Sequence, residues 1–343
     1  MKIIASFIPL YVGILLCSCK KESNNSNEPL IDVYLAGTVW ETPTSMAVAT
    51  YWKNGIPVSL TDGHQTAVAQ AIAVAGTDVY VAGNEGVNAV YWKNGHPQVL
   101  AYGNIFFVPG EATSIALAGS DLYIAGTLIG VSPTYPANKL AVYWKNGAKV
   151  NLTPDSIRSE ASSIAVSGND VYVAGRERNN AVYWKNGDVV HLTYDTTVDA
   201  YATGLALSGN DVYVTGSINK MVSGVMTNTA VYWKNGDVTN LTDKGSATDI
   251  KISNGDVYIS GSDAGHALYW KNGVTTPLEG IPPSTGFAIN GLAISGNDVY
   301  VAGFLEYPPD KMVAKCWKNG SLFQTLDSNG VRQYWVKSIW LSR

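Results

Sequence analysis

The stretch Ala181-Val-Tyr-Trp-Lys-Asn-Gly187 decides the fold, because its second half occurs seven times in the chain. This Trp-Lys-Asn-Gly motif, here called the Trp motif, begins at Trp52, Trp92, Trp144, Trp184, Trp233, Trp270 and Trp317. A second sequence, Asp-Val-Tyr or Asp-Leu-Tyr, alternates strictly with it and is called the Asp motif; it begins at Asp32, Asp78, Asp121, Asp170, Asp211, Asp256 and Asp298. Successive Trp motifs are about 44 residues apart on average, a period typical of β-propeller blades.

Each repeat predicts four short β-strands. In the unit around Trp184 they cover residues 161–167, 170–175, 181–185 and 189–193. Asn186-Gly187 predicts a type I′ hairpin turn, because both central positions of that turn need a positive φ. The second and third strands are apolar on both faces, so each sheet must be covered on both sides. The sequence therefore predicts an all-β protein, a seven-bladed β-propeller of four-stranded antiparallel blades.

The two ends of the repeat region complete one blade between them. The Asp motif at Asp32 has no preceding strand, whereas the chain finishes with Val336-Lys-Ser-Ile-Trp-Leu-Ser342, which aligns with the missing strand. We therefore expect the C-terminal strand to close the ring and leave no unpaired edge between blades. This assigns residues 31–343 to a single monomeric propeller.

The N-terminus carries a second pattern. A charged start, Met1-Lys2, is followed by an apolar run that ends Leu16-Cys17-Ser18-Cys19. This resembles the lipobox of bacterial lipoproteins, which implies a signal peptide over 1–18, lipidation of Cys19 and a flexible tether over 19–30. The resemblance implies an outer-membrane lipoprotein held by its lipid, facing either the periplasm or the outside. An ordinary cleaved signal peptide is the alternative.

The repeat also resembles a known group of sequences. Ala-Val-Tyr-Trp-Lys-Asn-Gly followed by Leu-Thr is similar to bacterial extracellular repeats in which Ala-Phe-Leu-Trp and Asn-Gly precede Leu. The similarity covers about half of each unit and implies no chemistry. The Trp-Asp pair of WD40 blades, the Gly-Gly doublet of kelch blades and the aspartate box of sialidases do not occur in the repeat.

Composition excludes several functions. The chain has 343 residues with 23 basic and 27 acidic side chains, so a basic nucleic-acid surface is not expected. The four histidines are dispersed, and we expect neither a metal site nor a cofactor. With Cys19 lipidated, no internal disulfide forms, and Cys316 is expected to be a buried, inert thiol.

The seven repeated tryptophans are either stacking platforms for a ligand or, as we favour, packing between blades.

Loop lengths place the candidate binding surface. The connections between strands two and three and those between blades vary in length, and both emerge on one face of the disc, called the variable-loop face. Aromatic and arginine side chains mark interaction surfaces. The ligand-binding candidates on this face are Trp40, Phe106, Phe107, Tyr135, Arg176, Arg178, Tyr194, Tyr201, Tyr307 and Trp335. The alternative is that these loops fold over their own aromatic side chains.

One column of the repeat is polar in all seven units. Its members, called the ring residues, are Gln70, Thr113, Ser162, Thr203, Thr248, Asn290 and Lys337. They are expected to surround the mouth of the central channel, and the channel-mouth candidates are Gln70, Asn290, Lys337, Asp249 and Lys251. A water-filled channel is the alternative. Asp249 and Lys251 either pair with each other or contact a channel ligand.

The sequence favours a binding function over a catalytic one. Motifs for a nucleophile elbow or a phosphate loop do not occur in the sequence, so no catalytic residue is assigned. The leading hypothesis is an envelope-anchored module that binds a glycan, a peptide or a protein partner. The alternatives are a polysaccharide hydrolase or lyase that uses two carboxylates of the variable-loop face, and a scaffold subunit of an outer-membrane complex.

Overall fold

The computed structural model describes residues 31–42, 45–103, 110–129, 138–195, 197–283, 285–308, 311–326 and 332–342. Within these ranges the chain contains no helix, and 28 strands form seven four-stranded antiparallel sheets. The innermost strands of successive sheets contact one another in a closed cycle. The fold is a seven-bladed β-propeller, as the repeats predict.

The strands follow the repeat closely. Blade 1 consists of β1 (Asp32–Trp40), β2 (Val48–Lys53), β3 (Ile56–Ser59) and the C-terminal β28 (Gln333–Ser342). Blade 2 consists of β4 (Ala67–Ala75), β5 (Asp78–Glu85), β6 (Asn88–Lys93) and β7 (His96–Ala101). Blade 3 consists of β8 (Glu111–Ala118), β9 (Asp121–Ile129), β10 (Lys139–Lys145) and β11 (Ala148–Asn151). Blade 4 consists of β12 (Ser159–Ser167), β13 (Asp170–Glu177), β14 (Asn180–Lys185) and β15 (Asp188–His191).

The last three blades repeat the same order. Blade 5 consists of β16 (Asp199–Ser208), β17 (Asp211–Val222), β18 (Val225–Lys234) and β19 (Asp237–Thr242). Blade 6 consists of β20 (Gly245–Ser253), β21 (Asp256–Asp263), β22 (His266–Lys271) and β23 (Val274–Pro277). Blade 7 consists of β24 (Gly286–Ser295), β25 (Asp298–Tyr307), β26 (Lys311–Lys318) and β27 (Ser321–Leu326).

The C-terminal strand closes the ring. β28 pairs antiparallel with β1, with Tyr34 opposite Trp340 and Thr38 opposite Trp335. The prediction that the C-terminus supplies the inner strand of blade 1 is therefore confirmed. Cys19, with the predicted signal peptide and tether, lies outside the described residues.

The tryptophans of the Trp motif lie between blades. Each is at most 1% exposed, and each belongs to a different apolar cluster built from two neighbouring blades. Trp184 of blade 4, for example, packs with Ala125 and Ala141 of blade 3. The seven indoles are therefore packing residues and not ligand platforms. Cys316 is also buried, and burial raises the pKa of its thiol to about 12.

The Asp motif and the Trp motif bind each other across the two central strands. Lys185 Nζ lies 2.9 Å from Asp170 Oδ2, and Asn186 Nδ2 donates to Asp170 Oδ1 at 2.8 Å. The Val171 N–H donates to Asn186 Oδ1 at 2.9 Å, and the Lys185 ammonium lies 5.3 Å from the Tyr172 ring centroid. Both side chains therefore join one strand to the next hairpin turn.

Candidate functional site

The seven ring residues share one backbone feature. In every inner strand the pairing with the second strand skips one residue, which is a β-bulge. The skipped residues are the ring residues Gln70, Thr113, Ser162, Thr203, Thr248, Asn290 and Lys337. A bulge locally bends a strand and re-aims the side chain of the extra residue. Seven bulges at the same height therefore turn seven polar side chains toward the axis.

A glycine on the second strand makes each bulge possible. A Cβ on Gly175 would overlap the carbonyl oxygen of Glu160, which lies two residues before the bulged Ser162. The same clash, with the carbonyl two residues before the ring residue, occurs at Gly37, Gly83, Gly126, Gly175, Gly216, Gly261 and Gly303. The glycine at the sixth position of each Asp-motif strand is therefore required by close backbone approach.

All seven ring residues line one cavity of about 390 Å³. The residues that line it besides the ring are Glu111, Thr127, Ile129, Lys139, Glu160 and Ala161. Glu111 begins β8, Ile129 ends β9 and Lys139 begins β10, so this cavity, called the mouth cavity, opens toward the variable-loop face. A smaller cavity of about 180 Å³, lined in part by Asp249 and Lys251, shares all seven ring residues.

Several ring side chains join neighbouring blades. Thr113 Oγ1 donates to the Ala161 carbonyl at 2.9 Å, and Thr203 Oγ1 donates in the same way to Ala247 at 2.8 Å. Asn290 Nδ2 donates to the next blade at Val336 O, at 2.7 Å. Thr248 Oγ1 donates within its own blade to Ser260 O at 3.0 Å. The hydroxyl protons of Thr113 and Thr203 are therefore used by the fold, while their oxygens remain as acceptors; Thr248 Oγ1 also lies 3.0 Å from Ser260 Oγ, where either hydroxyl can donate.

The remaining ring residues are available to a ligand. Among the described residues, the side-chain polar groups of Gln70, Ser162 and Lys337 have no hydrogen-bond or ion-pair partner. Lys337 Nζ lies 3.8 Å from the centroid of the Trp335 ring. Burial lowers the pKa of the Lys337 ammonium, an effect that the charge of Glu111 opposes.

Asp249 and Lys251 neutralise each other. The lysine donates to both carboxylate oxygens at 2.6 and 2.8 Å. Asp249 also accepts hydrogen bonds from its neighbour Ile250 N and, across the blade boundary, from Leu292 N at 3.0 Å. Of the two possibilities in the sequence, the structure shows the pair, which makes these residues part of the fold.

Two of the predicted aromatic candidates come together beside Lys337. The rings of Trp40 and Trp335 stack with centroids 6.0 Å apart, and the buried Phe304 meets Trp335 edge-on at 5.5 Å. The sequence separates Trp40 from Trp335 by almost the whole propeller. The pairing of β1 with β28 brings them together, so this cluster depends on ring closure.

The other described candidates do not line the mouth cavity. Tyr194 is 79% exposed and its ring lies 5.5 Å from His191. Arg176 is held by Asp199 at 2.8 Å and by the carbonyl of Arg178. Tyr201 and Tyr307 are half-buried and do not line the cavity. Phe106, Phe107 and Tyr135 lie outside the described residues.

Two carboxylates share the mouth cavity. Burial disfavours charge on Glu160, but hydrogen bonds from Lys139 and Arg158 outweigh it and hold the pKa of its carboxyl below the usual range. The Glu111 carboxylate has no ion pair or hydrogen bond within the described part of the chain. In the same ranges, no group of three or more His, Cys, Asp or Glu side chains is arranged to hold a metal ion.

The hairpin between β17 and β18 was not singled out in the sequence. It extends beyond the blade, and its tip exposes Met221, Val222, Val225 and Met226. Met221 faces Met226, and Val222 faces Val225 across the Ser223-Gly224 turn. The sequence signal for this hairpin was an apolar residue pair on each side of a Ser-Gly turn.

Across the described residues, no helix is long and apolar enough to span a membrane.

Comparison with known proteins shows similarity of fold. No protein-family model matches the chain, and a search of curated proteins finds no match. A puromycin-hydrolyzing peptidase of Mycobacterium tuberculosis superposes with a TM-score of 0.53 at 12% identity, over 88% of this chain and 52% of the peptidase. An acylaminoacyl peptidase of Pyrococcus horikoshii (TM-score 0.48, 14% identity, 82% and 48%) and TolB of Acinetobacter baumannii (0.42, 14%, 71% and 62%) are less similar. The chain spans about half the length of the two peptidases.

Proposed function

We propose that this propeller is a binding module that takes a small polar ligand in the mouth cavity. The observation that carries the proposal is the set of seven bulges, which turn one polar side chain per blade into a single space. Its volume of about 390 Å³ falls in the range of small-molecule sites, roughly 300–1,000 Å³. Gln70, Ser162 and Lys337 supply unpartnered polar groups. An exclusively water-filled channel is the competing possibility.

The proposal is tested by filling the cavity. Ser162 lines it and has no side-chain partner among the described residues, so Ser162→Phe adds volume without breaking a contact. The matched control is Thr239→Phe on the exposed outer strand β19. Ligand-observed NMR with mono- and disaccharides, amino acids and short peptides should detect binding to the parent protein and to the control, but not to Ser162→Phe. A library without any binder, or binding that Ser162→Phe leaves unchanged, would overturn the proposal.

Hydrolysis is a second candidate, favoured by Glu111 and Glu160 lining the same cavity. Two-carboxylate hydrolases need one protonated and one ionised group. The lowered pKa of the Glu160 carboxyl fits the ionised role. If the protein hydrolyses a polysaccharide, and Glu111→Gln loses this turnover but retains binding, a hydrolase function would replace the proposed binding function.

A scaffold role is the third candidate, favoured by the exposed apolar tip of the β17–β18 hairpin. An exposed apolar patch on a soluble domain marks interaction surfaces. Replacing Met221 and Met226 by Ser should release a bound envelope protein in a pull-down while leaving small-ligand binding intact. Retention of the same partner by this variant would argue against the hairpin as a docking element.

We infer that the module is held at the bacterial outer membrane through a lipid on Cys19. The inference is supported by the lipobox sequence Leu16-Cys17-Ser18-Cys19 and the polar segment that follows it. Mass spectrometry of the membrane-associated protein should show an acylated N-terminal Cys19. In Cys19→Ala the protein should lose acylation and leave the membrane fraction. An unmodified N-terminus elsewhere in the chain would contradict the inference.

A further inference from the structure

The lysines around the central cavities differ in one respect. Lys139 is 3.1 Å from Glu160, and Lys251 is 2.6 Å from Asp249, so each has a carboxylate partner. Lys337 has no carboxylate oxygen within 4.0 Å among the described residues, although it lines both cavities. The Trp335 ring on one side fixes its position. A half-buried ammonium without a protein counter-charge is suited to bind an anion.

Glu111 has the opposite charge and likewise has no side-chain partner among the described residues. It begins β8 in blade 3, whereas Lys337 lies on β28 in blade 1, and both line the mouth cavity. The Lys337 ammonium and the Glu111 carboxylate form no ion pair, so they are more than 4.0 Å apart. They are close enough for the charge of Glu111 to favour the charged form of Lys337. Within the described part of the chain, one cavity thus holds one cation and one anion that have no charged partner.

Two threonines of the ring between these charges offer a ligand hydrogen-bond acceptors only. The hydroxyl protons of Thr113 and Thr203 point at backbone carbonyls, whereas the Thr248 hydroxyl lies 3.0 Å from both the Ser260 carbonyl and the Ser260 hydroxyl. A hydroxyl that donates to the protein offers a ligand only its lone pairs. A complementary ligand therefore brings its own N–H or O–H donors in addition to its charges.

We propose that the mouth cavity binds a short peptide with free termini, whose carboxylate contacts Lys337 and whose ammonium contacts Glu111. The inference rests on the proposed function, since it names the ligand class of the same cavity. An extended dipeptide spans about 7 Å, enough to bridge two charges that do not touch each other. Its amide N–H and ammonium protons supply the donors that the threonine oxygens lack. A neutral sugar would leave both charges without a partner.

The test varies one charge at a time on the ligand and on the protein. The probes are Ala-Ala, Ala-Ala-amide, which lacks the carboxylate, and N-acetyl-Ala-Ala, which lacks the ammonium. The proteins are the full chain, Lys337→Met and Glu111→Gln, with Lys149→Met on the exposed strand β11 as the matched control. Thermal unfolding checks that each variant is folded, and calorimetric titration or ligand-observed NMR gives the dissociation constants.

In the parent protein and in Lys149→Met, each ligand modification should weaken binding by about tenfold, as expected for one charge-assisted contact. In Lys337→Met the amide and the free dipeptide should bind equally, and in Glu111→Gln the acetylated and the free dipeptide should bind equally. If all three probes bind the parent protein alike, the charge assignment is wrong while cavity binding stands. If the dipeptides do not bind but a sugar does, the ligand class is wrong. If no small molecule binds the cavity, the proposed function itself fails.

Discussion

Asn186 and Asp170 form the contact that makes each repeat a unit. The amide Nδ2 of Asn186 donates to Asp170 Oδ1 at 2.8 Å, and the same pairing occurs in all seven blades at 2.7–2.9 Å. Asn186 has a φ of 53°, as the hairpin turn requires, and its side chain links this turn to the neighbouring strand. This explains why the Asp motif and the Trp motif always occur together.

Removing this contact should destabilise a blade without changing its turn. Asn186→Gly keeps the positive φ that the turn needs but removes the hydrogen bonds to Asp170 and Val171. We expect a loss of about 1–2 kcal/mol in the free energy of unfolding, measured by denaturant titration. Asp188→Ala, an exposed residue after the same turn, should cost much less. Equal stability of Asn186→Gly and the parent would show that the contact is dispensable.

Stability should fall in acid because of the same seven aspartates. Hydrogen bonds from Asn186 and then from Lys185 hold the pKa of the Asp170 carboxyl below its usual range, and its six counterparts are lowered in a similar way. A carboxyl whose pKa is lowered in the folded state stabilises the fold fully above its unfolded pKa of about 4. This stabilisation is lost as the pH falls through the lower pKa of the folded state. Thermal unfolding between pH 7 and pH 2 should show this decline. In Asp170→Asn the decline should be smaller than in the parent, and an unchanged profile would contradict the assignment.

The bulges should depend on the second-strand glycines. Gly175→Ala places a Cβ against the Glu160 carbonyl, so the bulge at Ser162 must shift. We expect a loss of about 2–3 kcal/mol, the upper part of the range for overpacked positions. The control is Gly168→Ala, a turn position with a φ of 59° and open space around its Cβ, which should cost about 1 kcal/mol. The reverse order of the two losses would rule out this role of the glycine.

Ring closure should be essential for cooperative unfolding. Deleting residues 333–343 removes β28, which supplies Val336, Ile339 and the ring residue Lys337. Blade 1 would then expose the edge of β1. The truncated protein should unfold without a sharp transition or aggregate, whereas removal of Arg343 alone, beyond the end of β28, should leave the melting curve unchanged. A truncated protein that melts like the full chain would disprove the closure.

The sequence predicts the blades because each decisive residue acts locally. Asn186-Gly187 specifies its hairpin turn, and Trp184 and its counterparts place one large buried side chain in the third strand of each blade. The period of these residues in the sequence therefore predicts the fold. The role of Gly175 was not predictable, because its clash is with a carbonyl on another strand and depends on the register. The pairing of Asp170 with Asn186 was likewise missed, although the strict alternation of the two motifs contained the signal.

The candidate site was predicted in part. The polar column identified Lys337 and Gln70 as axial residues, since equivalent positions of a closed ring share one height. The charge pattern of the cavity could not be predicted from the sequence, because Glu111 and Lys337 are separated by most of the chain. For Asp249 and Lys251 the sequence offered the observed ion pair as one of two alternatives. Aromatic residues of long loops gave little guidance, because exposure and contacts there depend on tertiary packing.

The most direct test of ligand binding in the mouth cavity is the map of amide chemical shifts on titration with Ala-Ala. We predict concentration-dependent shifts at the ring residues of several blades, strongest at Lys337, Ser162 and Glu111, with the outer strands unaffected. Shifts confined to the outer strands or to the β17–β18 hairpin, with the ring residues unchanged at saturating dipeptide, would contradict the account.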